Sequence, residues 1–284
     1  RSGVLNLGVD GIMLMGAFFA HYVALSTGSA VLGVGAALVV GAVMGLAMAF
    51  ISVTLKAEQG ISGIGVYLFG LGMSELLFQR LVGTPRSVAG FTDIYIPGLS
   101  DIQFLGIGEI FFRHNIEIFF RHNILVYIAF LLVPISAYVI SRTPFGLMIR
   151  AVGQNPQAAD AMGISVARVR YMTVILGSML AGLAGASLSV ALLKVFQQNL
   201  TSGLGFIAVA LVYFGRWRPV GILIGALLFS FVNALQLQVS AIGLDIPAEF
   251  AVMAPYVITI IALVFASRQT EKPDALTKPF ERGE

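Results

Sequence analysis

The chain has 284 residues, of which 58% are hydrophobic and 11% charged, with a net charge of +3 and no cysteine. That apolar excess exceeds an ordinary soluble domain and places the chain in a membrane, while the missing cysteines exclude a disulfide framework and any thiolate metal site. With so small a net charge, the distribution of Lys and Arg is informative and their sum is not.

Eight apolar segments follow one another, at about 3–25, 29–55, 61–82, 125–141, 171–193, 203–215, 219–239 and 250–267. About 20 apolar residues at 1.5 Å per residue cross a hydrocarbon core of roughly 30 Å, so most of these segments can span a bilayer. The predicted fold is therefore all-α, a polytopic membrane helix bundle over residues 1–267 with a tail at 268–284. The first segment is no secretory signal, because its apolar run continues through Leu25 without a small-residue cleavage pattern and is interrupted by Asp10. Starting at Arg1 and not at Met, the chain reads as part of a longer protein, with room for one more segment upstream. The sixth segment, 203–215, is too short for a full lipid-facing span and predicts a steep, partly buried or broken helix.

Small residues recur four apart at Gly41 and Gly45, at Gly177, Ala181 and Gly185, and at Gly221 and Gly225. Such faces let helix backbones approach closely in lipid, which predicts packing within one bundle in preference to a dedicated dimer face. A loop at about 83–124 holds a tandem octamer, EIFFRHNI at 109–116 and again at 117–124. Eight residues turn a helix by about 800°, which offsets the copies by roughly 80° and breaks any continuous stripe. The octamer reads as a recent in-frame duplication or a sequence-assembly error in a tolerant loop. The alternative is a Phe-rich interfacial helix presenting Arg113, His114, Arg121 and His122 to headgroups or a partner.

Sorting Lys and Arg by alternate sides of the predicted spans gives a strong asymmetry. One side collects Arg1, Lys56, Arg142, Arg150, Arg168, Arg170, Arg216, Arg218, Arg268, Lys272, Lys278 and Arg282; the other holds Arg80, Arg86, Arg113, Arg121 and Lys194. The positive-inside rule puts the richer side, the loop at about 142–170 and the C-terminal tail in the cytoplasm.

No GxxxxGK[ST] loop, zinc-ligand spacing or nucleophile elbow occurs, so the chain reads as neither an ATPase nor another enzyme. Polar residues within apolar runs are costly in lipid and point to a partner helix or a pathway. Asn6 and Asp10 lie four apart in the first segment, and Asn233 and Gln236 three apart in the seventh. Each pair shares a face if its stretch is helical, and both interhelical hydrogen bonding and substrate-pathway lining are open. Glu75 lies closer to the outer end, where it can pair with Arg80 or reach the interface.

The polar stretch RAVGQNPQAADAMGIS at 150–165 predicts a short capped helix. Asn155 is a good N-cap, Pro156 suits the first helical position, and Gly163 can supply the left-handed residue that ends it. Ala158, Ala159 and Ala161 leave a slim surface that a narrow groove on a cytosolic partner could seat, with Arg150, Arg168 and Arg170 flanking it. From the residues alone, a capped loop helix without a partner remains equally open.

The AAxxxG pattern at Ala158, Ala159 and Gly163 resembles the coupling motif of ABC-importer permeases, with Gln157 where the general motif has Glu. RAVGxNPxAAxxxGI is the usual form in the branch that includes branched-chain amino acid, ribose-type and nucleoside permeases. SGVLNLGVDGIMLMGAFFA at 2–20, GFIAVALVYFGRWRPVGILIGALLF at 205–229 and APYVITIIALVFAS at 254–267 extend the resemblance over nearly the whole chain. They look most like nucleoside-type or simple-sugar-type permeases, in which Glu is expected at Asp10.

That resemblance implies a multi-pass subunit of a bacterial inner membrane importer, with no catalytic residue, cofactor or metal of its own. It implies ATP and Mg on a cytosolic ABC ATPase, a second permease that is the same or a related chain, and an extracytoplasmic substrate-binding lipoprotein. The lipid bilayer surrounds the chain, and nucleic acid is not among its partners. Coupling is expected at Arg150, Gly153, Asn155, Pro156, Ala158, Ala159 and Gly163, and the substrate pathway at Asn6, Asp10, Asn233 and Gln236. An ion-coupled secondary transporter and a non-transporting scaffold are the competing classes.

Overall fold

The computed structural model describes residues 1–91, 94–95, 121–242, 253, 257 and 272–281. Five helices are long and apolar enough to span a bilayer: α1 (Val9–Thr27), α2 (Ala30–Ala49, running on as a π-helical turn to Thr54), α3 (Gln59–Leu81), α4 (Ile124–Arg142) and α7 (Val166–Ala186, running on to Leu192). Between α4 and α7 lie α5 (Pro144–Gln154) and α6 (Pro156–Ala161); α8 (Leu204–Phe214) and α9 (Pro219–Ile242) follow. Among the described residues the all-α expectation holds, apart from β1 (Ile94–Tyr95) paired antiparallel with β2 (Arg121–His122). The eighth apolar segment, 250–267, lies outside the described residues except for Met253 and Val257, and so does most of the tandem octamer. The last residues of its second copy are described: Asn123 caps α4, its side chain accepting from the amides of Leu125 and Val126.

α1 is the central helix. Ile12, Leu14, Ala17, Phe18 and Ala20 are fully buried, and α2, α3 and α7 pack around them. The approach is close because the contacts are between backbones: a Cβ on Gly16 would lie 2.5 Å from the Gly182 carbonyl oxygen, and one on Gly41 would lie 2.5 Å from that of Ser178. Dispersion between such surfaces holds helices together in lipid, where no hydrophobic drive exists. Of the small-residue faces predicted, Gly41 and Gly45 meet α7, Gly185 meets α1, and Gly221 and Gly225 close the α8–α9 hairpin. Gly177 instead faces open space. The contacting face of α7 runs through Ser178, Ala181, Gly182 and Gly185.

Exposed Val31, Val39, Val43 and Leu46 on α2, and Phe130, Leu131, Ile135 and Tyr138 on α4, of which only Leu125 is buried, present apolar surface outward, as lipid requires. One end of the bundle gathers the residues sorted to the Arg-rich side. Arg1 Nε donates to the Trp217 carbonyl at 2.9 Å, Lys56 pairs with Glu281 at 2.6 Å, and Arg170 Nη1 donates to the Lys278 carbonyl at 3.1 Å. At this end Glu58 caps α3; the amides of Ile61 and Gly60 that its carboxylate accepts from hold its pKa below the ordinary value. At the opposite end, buried His21 Nε2 donates to the Arg86 carbonyl at 2.8 Å, and the amide of Val88 donates to Lys194. Glu75 accepts from Gln79 and from Gln198 (2.8 Å) in place of the anticipated Arg80.

The α1–α7 contact is tested by replacing Gly16 with Leu, which overpacks the interface at a cost of roughly 1–3 kcal/mol or more. Thermal unfolding of the solubilised protein should drop markedly for Gly16→Leu and remain near wild type for Gly177→Leu, since nothing lies within 4 Å of Gly177.

Candidate functional site

Two constellations emerge, one at mid-depth and one at the Arg-rich end. The first is built from two helix N-termini. Residues 1–8 enter without forming a helix, and α1 begins only at Val9. Asn6 therefore lies before the helix and does not share a helical face with Asp10. Its side-chain oxygen accepts from the Gly8 amide at 2.9 Å, and its nitrogen donates to Ser178 Oγ at 3.4 Å. The chain returns from the opposite end through residues 195–203 without a helix, and α8 starts at Leu204 behind Gly203, whose φ of 84° is left-handed. The eleven residues of α8 span about 16 Å, so it covers only the half of the crossing that ends at the Arg-rich end. This is the broken crossing expected for segment 203–215.

Asp10 sits where the two starts meet. It is 0% exposed and lies in the first turn of α1. One carboxylate oxygen accepts from the Gly205 amide at 2.7 Å, and the other from Thr201 Oγ1 at 3.0 Å. A Cβ on Gly205 would lie 2.5 Å from the Asp10 backbone, so glycine is what allows this contact. The positive ends of two helices thus flank one carboxylate, a favourable electrostatic arrangement that needs no cation. Tyr67 and Phe206 meet edge-to-face nearby, ring centroids 5.0 Å apart.

The predicted pathway residues are not all brought together. Asn233 is exposed on α9, which packs mainly against α4 and α8, and it makes no hydrogen bond to Asn6 or Asp10. Gln236 lies within α9, but its side chain is outside the described residues. Thr201, Gly205 and Ser178 were not anticipated. The signal that could have found the first two was TSGLG immediately before an apolar segment too short to span.

The second constellation is the stretch 150–163. Thr143 caps α5, with Pro144 in its first turn. Pro156 disfavours helical backbone at the residue before it, and Asn155 is extended at φ −144°, ψ 92°, so α5 stops at Gln154. The Asn155 side chain accepts from the Ala158 amide at 3.0 Å and opens α6 with Pro156 as its first residue. The far end closes on Gly163 (φ 83°): its amide donates to Asp160 and that of Ile164 to Ala159, the paired bonds of a glycine-terminated helix.

Of the three alanines, Ala159 turns inward against Ile149, Val152, Val166 and Val169. Ala158 and Ala161 face outward beside Met162, which is 83% exposed. Gly153 is buried, its backbone pressed against the Arg1 carbonyl, and its own carbonyl accepts from the Ala275 amide at 3.0 Å. Arg150 is half-buried, and its Nε has no hydrogen-bond partner. α6 is closed by its own cap and its terminal glycine, and is seated through Ala159. Among the described residues no group of His, Asp or Glu could hold a metal ion.

A profile for the permease component of branched-chain amino acid transport systems matches residues 1–263. The chain belongs to this family of ABC-transporter permeases. The permease is 37% identical to a putative glucose ABC transporter permease of Haloferax volcanii, over 99% of this chain and 90% of that one. It is 35% identical to the guanosine ABC transporter permease NupQ of Bacillus subtilis, over 100% and 89%. It is 33% identical to the nucleoside ABC transporter permease NupC of Lactococcus lactis, over 97% and 87%. No solved structure matches the chain significantly. The permease is thus a multi-pass subunit of an ABC importer, not itself a catalyst. The secondary-transporter and scaffold readings are set aside on that ground. ABC permeases work with an ATPase and a substrate-binding protein, and the permease belongs in such an assembly.

The role of Asp10 in positioning α8 is open to direct measurement. Asp10→Ala strands the buried Thr201 hydroxyl and Gly205 amide, at about 1–3 kcal/mol for each group. Thermal unfolding should fall and hydrogen exchange at the Gly205 amide should accelerate, with Asp10→Asn intermediate because it retains one acceptor.

Proposed function

We propose that this permease carries nucleosides into the cytoplasm, driven by an ATPase that docks on α6. The nucleoside reading is carried by the near full-length similarity to two permeases named for guanosine and nucleoside transport. The glucose-named relative, at similar identity, favours simple sugars as the second reading. The membrane is the cytoplasmic membrane of a prokaryote, with the Arg-rich end and the C-terminal tail facing the cytoplasm in accord with the positive-inside rule.

Coupling resides in the stretch containing Arg150, Gly153, Asn155, Pro156, Ala158, Ala159 and Gly163. The observation that supports it is a six-residue helix closed at both ends by its own residues, with Ala158, Ala161 and Met162 outward. Such a helix is a slim rigid knob. An ATPase groove that grips it moves α5 and α7 with it, because Ala159 is packed into their apolar cluster. Asn6 and Asp10 lie beside the broken crossing, where irregular backbone at depth has to be shielded by protein or water. Together with Asn233 and Gln236 they are assigned to the translocation pathway, Asp10 as the group that positions α8. The ATPase binds ATP and Mg, a second permease of the same or related sequence completes the pathway, and an extracytoplasmic lipoprotein delivers substrate.

Gly163→Leu forces a side chain into a left-handed conformation that costs roughly 1–2 kcal/mol and frays the end of α6. In proteoliposomes containing the whole importer, ATP hydrolysis should continue while transport per ATP collapses; normal coupling would remove α6 from this role. Uptake of labelled guanosine, glucose, ribose and leucine by cells expressing the importer tests the substrate. Guanosine uptake is expected, glucose uptake alone establishes the second reading, and leucine uptake without nucleoside uptake overturns both.

A further inference from the structure

The coupling reading leaves one element unused, the C-terminal tail. Residues 272–281 do not trail into solvent; they cross the Arg-rich end in contact with four separate parts of the chain. The Ala275 amide donates to the Gly153 carbonyl, and two residues later the Thr277 amide donates to the Gly3 carbonyl, both at 3.0 Å. The Asp274 amide donates to the Gln154 side-chain oxygen at 3.3 Å. Phe280 packs on the cluster of Ile149, Val152, Ala159, Val166 and Val169 beneath the coupling helix. Glu281 reaches Lys56 in the α2–α3 connection.

The anchor is Arg170. It is 2% exposed in the first turns of α7, and its Nη1 donates to the Lys278 carbonyl at 3.1 Å, while Nε and Nη2 are buried without a partner. Among the described residues the Lys278 carbonyl is the acceptor this guanidinium has, and a buried charge deprived of its partner is expensive. The surface pair Lys56–Glu281, by contrast, is half exposed and adds little. The tail is therefore held by backbone bonds, apolar packing and one buried cation.

Its two backbone bonds join particular places. Gly153 lies in the last turn of α5, the helix that leads into α6; Gly3 lies in the irregular segment 1–8 that leads through Asn6 to Asp10. We propose that the tail is a brace that fixes the coupling helix to the entry of α1, with Arg170 as its positioning residue, so that displacing α6 displaces the segment before Asp10. This rests on the coupling role of α6. Without the brace, α6 would still bind the ATPase but would pass its motion on only through α5 and α7.

The test uses the complete importer in proteoliposomes and exploits the absence of cysteine from these 284 residues. Phe280→Ala and Arg170→Lys are each expected to retain co-purification with the ATPase while substrate moved per ATP falls about five- to tenfold. Placing Gln154→Cys and Asp274→Cys in each variant supplies a disulfide across the brace. Oxidation should restore coupling to within about twofold of wild type, and reduction should abolish the rescue, a response that mere loss of folded protein cannot give. Unchanged coupling in both variants, or a disulfide that fails to form in the otherwise unmodified chain or fails to rescue, overturns the proposal. The Gly163→Leu importer assayed alongside separates the failures. If it is uncoupled and the brace variants are not, only the brace falls; if it too is normal, the coupling role of α6 falls first.

Discussion

The architecture turns on one buried carboxylate between two helix starts. α1 and α8 both begin part-way through the molecule, and Asp10 accepts a hydrogen bond from the first turn of α8 while itself lying in the first turn of α1. Free N–H groups at a helix start need acceptors, and none come from lipid. One aspartate satisfies part of that demand, and the partial charges of the two termini offset the cost of burying it. Everything that makes α8 a half-length crossing, including the left-handed Gly203 and the descent through Phe196 and Leu200, ends on this contact.

Around that point the packing of the bundle is uneven. α1, α2 and α7 are joined by backbone-to-backbone contacts that leave no room for a methyl group, so they form one closely packed unit. Of α4 only Leu125 is buried, and α9 packs mainly on α4 and α8. α2 and α7 also end alike: each runs into a π-helical turn followed by a lysine at φ 54°, Lys56 at the Arg-rich end and Lys194 at the opposite one. π-turns interrupt the regular hydrogen-bond ladder and often mark functional positions, and here they flank the rigid core at its two faces.

The Arg-rich end carries the second layer of organisation. Five separated stretches, 1–3, the α2–α3 connection, α5–α6, the start of α7 and the tail, are tied together there by hydrogen bonds and one ion pair. Residues 1–3 lead from that end through the irregular segment to Asp10.

Membrane class, approximate spans and the capped helix at 156–161 were legible in the sequence because each depends on local chemistry. Apolar length decides spanning, Asn155 and Pro156 decide where α6 starts, and Gly163 decides where it stops. The short sixth segment likewise announced a broken crossing. The partners of Asp10 were not legible, since Thr201 and Gly205 lie more than 190 positions away and only the fold brings them within reach. Nor was the loss of the Asn6–Asp10 helical face, because an apolar run does not reveal that its first residues are irregular. Gly177 was misassigned for a similar reason: a spacing of four fits several faces of a helix, and only the neighbouring helices choose one. The sequence by itself determined what could be settled within a turn or two of helix. The tertiary structure alone decided which buried polar groups meet, because those pairings join residues with no local relationship.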